Sequence, residues 1–310
     1  NGNPAGQTQN PCQPTTTTTT TATKPTTTQQ QQQQQQQQLP TSKQLPTTKK
    51  PNPSNNNGSE PASPTAISTS INHSKNFLDS FVFMNIEGLH PQTVKSSVPY
   101  ISDLTSSDHQ LFIALTETWL QDNHKEAELK IDGYKLYRKD RNRIKAKYGR
   151  SSGGVAIYLR EDIVPSFKTL LEFSNGVNEA LMLYSEKDNI IICVIYRQPT
   201  NEKHVSGAEE FNELLTSVEN KINSLGGCTP ELYICGDFNI PHTMIENVYT
   251  PSKNCNTQLL EILTDFTLTF NLTQIIQKPT HRDGNILDFL LTNNSENIFN
   301  YQCTNTIYSD

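Results

Sequence analysis

The chain is 310 residues long and carries 25 Lys and Arg against 31 Asp and Glu, a formal net charge of −6. This acidic balance argues against nucleic-acid binding by the whole surface, although it leaves room for a local basic groove. The six cysteines form no CxxC pair and no zinc-like spacing. No apolar stretch reaches the roughly 18 residues of a membrane helix. We therefore expect reduced thiols, an intracellular compartment and no membrane partner.

Residues 1–76 form a low-complexity region that is almost free of large apolar side chains. It contains the threonine-rich run TTTTTTTATK at 15–24 and ten glutamines at 29–38. Such a segment cannot bury enough apolar surface to offset the entropy of ordering its backbone. We predict a disordered Thr/Gln/Pro/Asn-rich arm over 1–76 and one folded domain over 77–310. The arm holds five Lys and one acidic residue, which leaves the domain with 20 basic and 30 acidic side chains.

The folded part alternates apolar runs with polar connections, and these runs predict strands. In chain order the predicted strands cover 81–89, 109–120, 134–141, 153–160, 178–186, 189–199, 231–239 and 286–293. Residues 207–227 place five apolar side chains at three- and four-residue steps, which predicts a helix, and 257–270 repeats the spacing. Strand pairs with helices between them predict an α/β (α+β) fold with two sheets packed face to face and helices outside.

The run ELYICGDFNIPH at 231–242 ends a predicted buried strand with Asp237 and Asn239, two residues apart. Because successive strand residues face opposite sides, these two side chains share one face. Two polar groups that project together from a strand end indicate chemistry rather than packing. Gly-Asp is also a common turn pair, so Asp237 alone is equally well read as a turn residue.

Other apolar runs also stop at polar side chains. Asn85 follows FVFM, Glu117 follows LFIALT, and the pair Tyr196 and Arg197 follows IIICVI. Taken singly, Asn85 and Glu117 are read as loop or turn residues, and Tyr196 equally well as a packing residue. Asp288 lies inside ILDFLL, and a buried carboxylate there requires a partner.

The order of these motifs resembles the endonuclease/exonuclease/phosphatase superfamily. NIEGL at 85–89, TETW at 116–119, VIYRQP at 194–199, GDFN at 236–239 and LDFLLTN at 287–293 follow one another as in that superfamily. LTETWL, SSGGVAIYLR, YRQP and PTH resemble most the apurinic-endonuclease-like endonuclease of LINE-type (non-LTR) retrotransposons. The resemblance covers 81–310 and implies a four-layered sandwich, two mainly antiparallel sheets between helices.

The resemblance also implies roles at positions of this chain. Glu117, assisted by Asn85, is expected to hold a divalent cation, Mg²⁺ or in its place Mn²⁺, through the hard oxygen ligands that Mg²⁺ favours. Asp237 is expected to orient or deprotonate the attacking water, Asn239 to hydrogen-bond the reacting phosphate, and Tyr196 to contact it through its hydroxyl. The implied reaction is a nick in target DNA that leaves a 3′-hydroxyl. That hydroxyl would prime reverse transcription by a polymerase region downstream in the same polyprotein.

The end of the chain departs from the family pattern. A final S-D-H supplies an aspartate and a catalytic histidine in the family, whereas this chain ends with Ser309 and Asp310. The resemblance places Asp310 at the metal and makes Asp288 the partner that fixes the histidine's tautomer and charge. His281 precedes that strand and is read as a loop or substrate-facing residue. We expect the sequence to be cut just before the histidine; taken literally, the chain would be severely impaired.

The connection RKDRNRIKAKYGR at 138–150 concentrates seven Lys or Arg and one Asp in an acidic domain. Such runs are most often solvated loops, and this one is alternatively a DNA-backbone contact or a nuclear import signal. We expect Arg138, Arg141 and Arg143 to contact DNA, with Arg197 and Thr280 as further substrate contacts. The expected location is nuclear, or cytoplasmic before import.

Two other functions stay open. A phosphodiesterase or phosphatase of the same fold would act on lipid headgroups, inositol phosphates or RNA, although the TETWL and YRQP motifs favour DNA. A catalytically inactive nucleic-acid-binding remnant is the other alternative, and the missing histidine is its best support.

Overall fold

The computed structural model describes residues 65–73, 77–89, 97–108, 110–142, 153–199, 207–227, 229–245, 248–253 and 255–305. Most of the predicted arm, residues 1–64 and 74–76, lies outside these ranges. The described residues include three α-helices, α1 Ser97–Asp108, α2 Ala208–Asn223 and α3 Thr257–Thr269. They also include thirteen strands: β1 Thr65–His73, β2 Phe77–Asn85, β3 Gln110–Thr116, β4 Tyr134–Lys139, β5 Val155–Arg160, β6 Phe167–Ser174, β7 Asn178–Ser185, β8 Ile190–Arg197, β9 Glu231–Ile245, β10 Val248–Pro251, β11 Thr273–Gln274, β12 Ile286–Thr292 and β13 Ile298–Asn305.

The strands form two sheets. Sheet A has the order β13–β1–β2–β3–β5–β4, and sheet B has the order β11–β12–β9–β8–β7–β6 with β10 paired to β9. Among the described strands only β2–β3 and β8–β9 run parallel, so the prediction of two mainly antiparallel sheets is confirmed. Parallel neighbours bring their carboxyl ends to the same edge of a sheet. The register therefore sets Asn85 beside Thr116 in sheet A and Tyr196 beside Asp237 in sheet B.

The two sheets pack face to face between helical layers. Strand β8 shows how: Ile192 and Val194 belong to the apolar core between the sheets, whereas Cys193 and Ile195 belong to the core under α2 and α3. Burial on both faces explains why this strand is a continuous apolar run. A third core packs Ile101 of α1 with apolar residues of the outer face of sheet A. The four-layered sandwich predicted from the resemblance is thus the observed fold.

Strand β1 corrects the predicted boundary at residue 76. It lies inside the segment predicted to be disordered and pairs antiparallel with both β2 and β13. Only Ile67 of its side chains is described, and that side chain is buried in the core between the sheets. Backbone pairing on both sides stabilises this strand, and composition, which reflects side chains alone, does not register it.

Other elements were missed or misplaced because they carry weak periodic signals. Helix α1, strand β6 and the short or polar strands β10, β11 and β13 have no predicted counterpart. Strand β9 continues past Asn239 to Ile245, where it turns back as a hairpin with β10. The predicted strand at 81–89 begins at Phe77 and ends at Asn85. None of the described helices is long and apolar enough to cross a bilayer.

Gly236 is required where β9 passes β8. A Cβ at this position would overlap the backbone of Ile195, and the nearest atom would be the Ile195 carbonyl oxygen. The glycine ahead of Asp237 therefore lets the parallel strand approach closely enough to place Asp237 beside Tyr196.

We predict that Gly236→Ala lowers the free energy of unfolding by about 3 kcal/mol, because the added methyl overpacks a backbone that cannot move aside. Urea unfolding of the full chain measures this loss. Gly133→Ala is the matched control, since its Cβ would meet nothing within 4 Å and only its φ of +80° is unfavourable, at a cost of about 1–2 kcal/mol. Equal losses in the two variants would contradict the close approach.

Candidate active site

Two sheets contribute to one cluster of polar side chains at the carboxyl ends of their parallel strands. The amide nitrogen Nδ2 of Asn85, at the end of β2, donates to Glu117 Oε1 at 3.2 Å and to Asp237 Oδ2 at 2.9 Å. Glu117 directly follows β3, and Asp237 lies in β9 of the other sheet. The amide of Asn85 thus binds one carboxylate from each sheet, and the farther one, Asp237, is 152 positions away along the chain.

The Glu117 carboxylate is fixed by further donors. The Tyr196 hydroxyl donates to Oε1 at 3.1 Å, and the Trp119 indole Nε1 donates to Oε2 at 3.2 Å. Glu117 is only half-buried, so its carboxylate remains accessible from solvent. An oriented, accessible carboxylate is suited to bind a cation.

Unusual backbone conformations concentrate at this cluster. Glu87, Glu117, Trp119 and Asn239 all have φ between +47° and +54°, the left-handed region that non-glycine residues rarely adopt. Such conformations cost free energy and occur preferentially at functional sites. Backbone hydrogen bonds hold the two loops together. Ile86, Gly88 and Leu89 donate from their N–H groups to the carbonyls of Thr116, Glu117 and Thr118 at 3.1, 2.8 and 2.8 Å.

Asp237 and Asp288 are directly opposed on β9 and β12, and opposed residues of antiparallel strands project to the same face. Both are buried, 5% and 6% exposed. Burial raises the pKa of Asp288 to about 7, against a hydrogen bond from Thr280 that lowers it. Burial, and then the charges of Asp288 and Glu117, raise the pKa of Asp237 well above its ordinary value. The cluster is therefore short of positive charge.

Tyr196 is a permanent donor at neutral pH. Burial raises the pKa of its phenol well above the ordinary value, and the charges of Glu117 and Asp237 raise it further. The hydroxyl consequently keeps its proton and donates it in a hydrogen bond to Glu117.

Asn239 and Arg197 brace each other. The Arg197 guanidinium donates to the carbonyls of Phe238 at 2.7 Å and Asn239 at 2.6 Å, and Asn239 Nδ2 donates back to the Arg197 carbonyl at 2.8 Å. The Asn239 N–H donates to Asp237 Oδ1 at 3.0 Å. Burial lowers the pKa of Arg197 to about 10, which leaves it cationic at neutral pH.

The expected substrate contact of Arg197 is corrected by this geometry. The residue is 2% exposed, and its guanidinium donates to main-chain carbonyls. Its role is to fix the GDFN turn. Thr280 is likewise internal, because its hydroxyl accepts from the N–H groups of Leu287 at 3.0 Å and Asp288 at 3.3 Å.

The basic connection is also less available than predicted. Arg138 donates to the carbonyls of His124 and Gln121 and pairs with Asp140 at 3.4 Å. Arg141 is buried against Glu179 at 2.8 Å, and its side chain is only 5% exposed, which leaves little of the guanidinium to contact DNA. Arg143 and Asp310 lie outside the described residues, as does the remainder of the basic run at 143–152.

Sequence reasoning missed two contributors. Trp119 donates to Glu117, and Glu179 pairs with Arg141. The signal for Trp119 was its position two residues after the proposed ligand. The signal for Glu179 was an acid at the second position of the strand ahead of the apolar run ALMLY, in a strand that is buried throughout.

The residues present fit a hard divalent cation. No group of three or more His, Cys, Asp or Glu among the described residues is arranged to hold a metal by itself. Mg²⁺ does not need such a group, since it keeps several waters and takes one or two carboxylates. Glu117 offers an accessible carboxylate beside the carboxamide of Asn85, and three carboxyl groups meet here with amide and phenol donors between them.

We predict that Asp288→Asn raises the melting temperature of the metal-free protein at pH 8. The folded pKa of Asp288, about 7, lies above the unfolded value of about 3.9. The folded state therefore binds more protons between these values, and stability falls as pH rises through that window. The gain should exceed about 3 °C at pH 8 and shrink at pH 5.

Calorimetry in EDTA measures both values, with Asp132→Asn as the control because that side chain is 96% exposed. A lower melting temperature for Asp288→Asn at pH 8 would show that the buried carboxylate stabilises the fold.

Comparison with known proteins found one family model and a set of solved structures of low sequence identity. Residues 190–310 match the family model described as endonuclease-reverse transcriptase. No curated protein sequence matches the chain. Among solved structures, an AP endonuclease from Archaeoglobus fulgidus is 13% identical, with TM-score 0.48 over 68% of this chain and 84% of that one.

Two further structures are similar at the same low level. The endonuclease domain of TRAS1, a telomere-specific non-LTR retrotransposon, is 11% identical, with TM-score 0.39 over 66% of this chain and 82% of that one. The human Nocturnin catalytic domain is 14% identical, with TM-score 0.41 over 63% and 73%. Residues 190–310, less than half of the chain, thus match the endonuclease-reverse transcriptase family model.

Proposed function

We propose that this protein is a Mg²⁺-dependent DNA endonuclease that nicks its target and leaves a 3′-hydroxyl. One observation supports the proposal: the Asn85 amide donates to both Glu117 and Asp237, so the proposed cation ligand and the proposed proton acceptor, which come from different sheets, lie close together. Phosphodiester cleavage needs both groups at one phosphate.

Glu117 and Asn85 would hold the cation, whose contribution is to stabilise charge on the phosphate oxygens. Asp237 would accept the proton of the attacking water. Its carboxylate is oriented by the Asn239 N–H on Oδ1 and by the Asn85 amide on Oδ2. A raised pKa brings this group closer to the value that suits a general base at neutral pH.

Tyr196 and Asn239 supply neutral donors beside these charged groups. The Tyr196 phenol keeps its proton, so it would donate to a phosphate oxygen, without adding negative charge, by turning its O–H away from Glu117. Donors fixed before substrate arrives need no reorganisation during the reaction. The hydrogen bonds of Asn239 to the end of β8 provide that fixation.

DNA is the proposed substrate because the matched family model pairs an endonuclease with a reverse transcriptase. A nick with a 3′-hydroxyl is the primer that a downstream polymerase region would extend. Chromosomal DNA as target makes the nucleus the proposed site of action.

The test is nicking of supercoiled plasmid in Mg²⁺ and in EDTA. It is run on the 310-residue chain and on the same chain with one histidine added after Asp310. Asp237→Ala and Glu117→Ala should each reduce the rate at least about 100-fold, the scale of losing an acid–base or charge-stabilising group. Lys187→Ala is the control, because it is exposed at the turn between β7 and β8, at the opposite end of β8 from Tyr196.

The nature of the ends completes this test. Nicked plasmid should be extended by DNA polymerase without phosphatase treatment. If the protein instead released phosphate from inositol phosphates or cleaved RNA while leaving the plasmid intact, the proposed DNA substrate would be wrong. Plasmid binding without cleavage by either chain would favour the inactive remnant.

A further inference from the structure

A buried ion pair joins the two sheets beside the candidate site. Arg141 lies two residues after the end of β4 of sheet A, and Glu179 lies in β7 of sheet B. Their contact is bidentate, with Arg141 Nε 2.8 Å from Glu179 Oε1 and Nη2 3.0 Å from Oε2. The side chains are only 5% and 0% exposed.

Arg141 makes two further hydrogen bonds. Arg141 Nη1 donates to Gln198 Oε1 at 2.7 Å, and Nη2 donates to the Val177 carbonyl at 3.3 Å. Burial of two charges is costly, and their attraction offsets this only when the geometry and the additional hydrogen bonds are good. A hydrophobic pair of similar volume would often be as stable, so stability alone is a weak reason for these residues.

Glu179 reaches the loop that carries Glu117. Its Oε2 accepts from the Gly154 N–H at 3.1 Å. Gly153 and Gly154 form a glycine pair whose carbonyls accept hydrogen bonds from the Glu117 loop. The Thr118 N–H donates to the Gly154 carbonyl at 3.3 Å, and the Trp119 N–H donates to the Gly153 carbonyl at 2.9 Å.

Arg141 reaches the same carboxylate by a second route. Its guanidinium carbon lies 5.5 Å from the centre of the Tyr196 ring, within cation–π range. The hydroxyl of that ring donates to Glu117. The ion pair therefore acts on both the backbone beneath Glu117 and the phenol that binds it.

The glycine pair is built for this contact. A Cβ at Gly153 would overlap the Arg141 guanidinium, and a Cβ at Gly154 would lie 2.7 Å from Thr118 Oγ1. Both glycines have positive φ, +99° and +88°. The glycine pair at 153–154 is thus explained by the approach of Arg141 on one side and the Glu117 loop on the other.

We propose that Arg141 and Glu179 are positioning residues for the active site, which hold Glu117 and Tyr196 in the geometry that binds the cation. The catalytic consequence rests on the proposed function, whereas the effect on the loop does not. Neither side chain contacts substrate.

The test compares wild type with the double variant Arg141→Met/Glu179→Leu, which removes both charges and keeps similar volume. Trp119 is the only tryptophan of the chain, so its fluorescence reports the loop without any metal. We expect circular dichroism like that of wild type, at least a twofold rise in acrylamide quenching, and about tenfold weaker Mg²⁺ binding by calorimetry. The turnover number for plasmid nicking should fall while KM stays within about twofold.

The matched control is Lys168→Met/Glu186→Leu. It removes an ion pair of 3.3 Å on sheet B, whose side chains are 58% and 80% exposed. This change should affect none of these readouts. If the double variant at the buried pair fails to fold, Arg141→Lys, which keeps the charge without the bidentate fork, is measured instead and should shift quenching in the same direction.

Native-like quenching and unchanged Mg²⁺ affinity in a folded variant would overturn the proposal and leave the pair a structural one. Wild-type protein that neither binds Mg²⁺ nor nicks DNA would instead refute the proposed function, and the quenching comparison would still decide whether the pair positions the loop.

Discussion

The amide of Asn85 is the contact on which the site depends. It donates to a carboxylate from each sheet, so the carboxyl ends of β2 and β3 in sheet A must lie next to the carboxyl-terminal part of β9 in sheet B. Each sheet is otherwise antiparallel but contains one parallel strand pair, and the two strands of such a pair end at the same edge of the sheet. Gly236 allows the closest of these approaches.

The site also contains features that lower the free energy of unfolding. Four residues with left-handed backbone surround it. Burial raises the pKa values of Asp237 and Asp288, and the charges of Asp288 and Glu117 raise that of Asp237 further. Glu87 adds to this concentration of charge, since burial and the charge of Glu117 raise its pKa as well. A structure selected only for stability would not place four acids here, and a cation relieves the same repulsion. The repulsion among these acids and the proposed cation binding thus have one cause, the concentration of carboxyl groups at one place.

The sequence allowed much of this architecture to be predicted. The rule that polar side chains end apolar runs singled out Asn85, Glu117, Tyr196 and Asp237, and the structure brings these four side chains into contact. Composition failed for β1, whose stability comes from backbone pairing. Charge patterning failed for Arg141 and Arg197, because a basic residue in a connection looks the same whether its guanidinium faces solvent or folds back onto a buried acceptor. Glu179, the carboxylate that holds the Arg141 guanidinium in the interior, is 38 positions away along the chain.

The most direct measurement of the central claim is the anomalous signal of Mn²⁺ in crystals of this protein. The account predicts one strong peak about 2.0–2.2 Å from a Glu117 carboxylate oxygen, in the pocket that Asn85, Tyr196 and Asp237 also line. A peak at another part of the molecule, or none at saturating Mn²⁺, would contradict it.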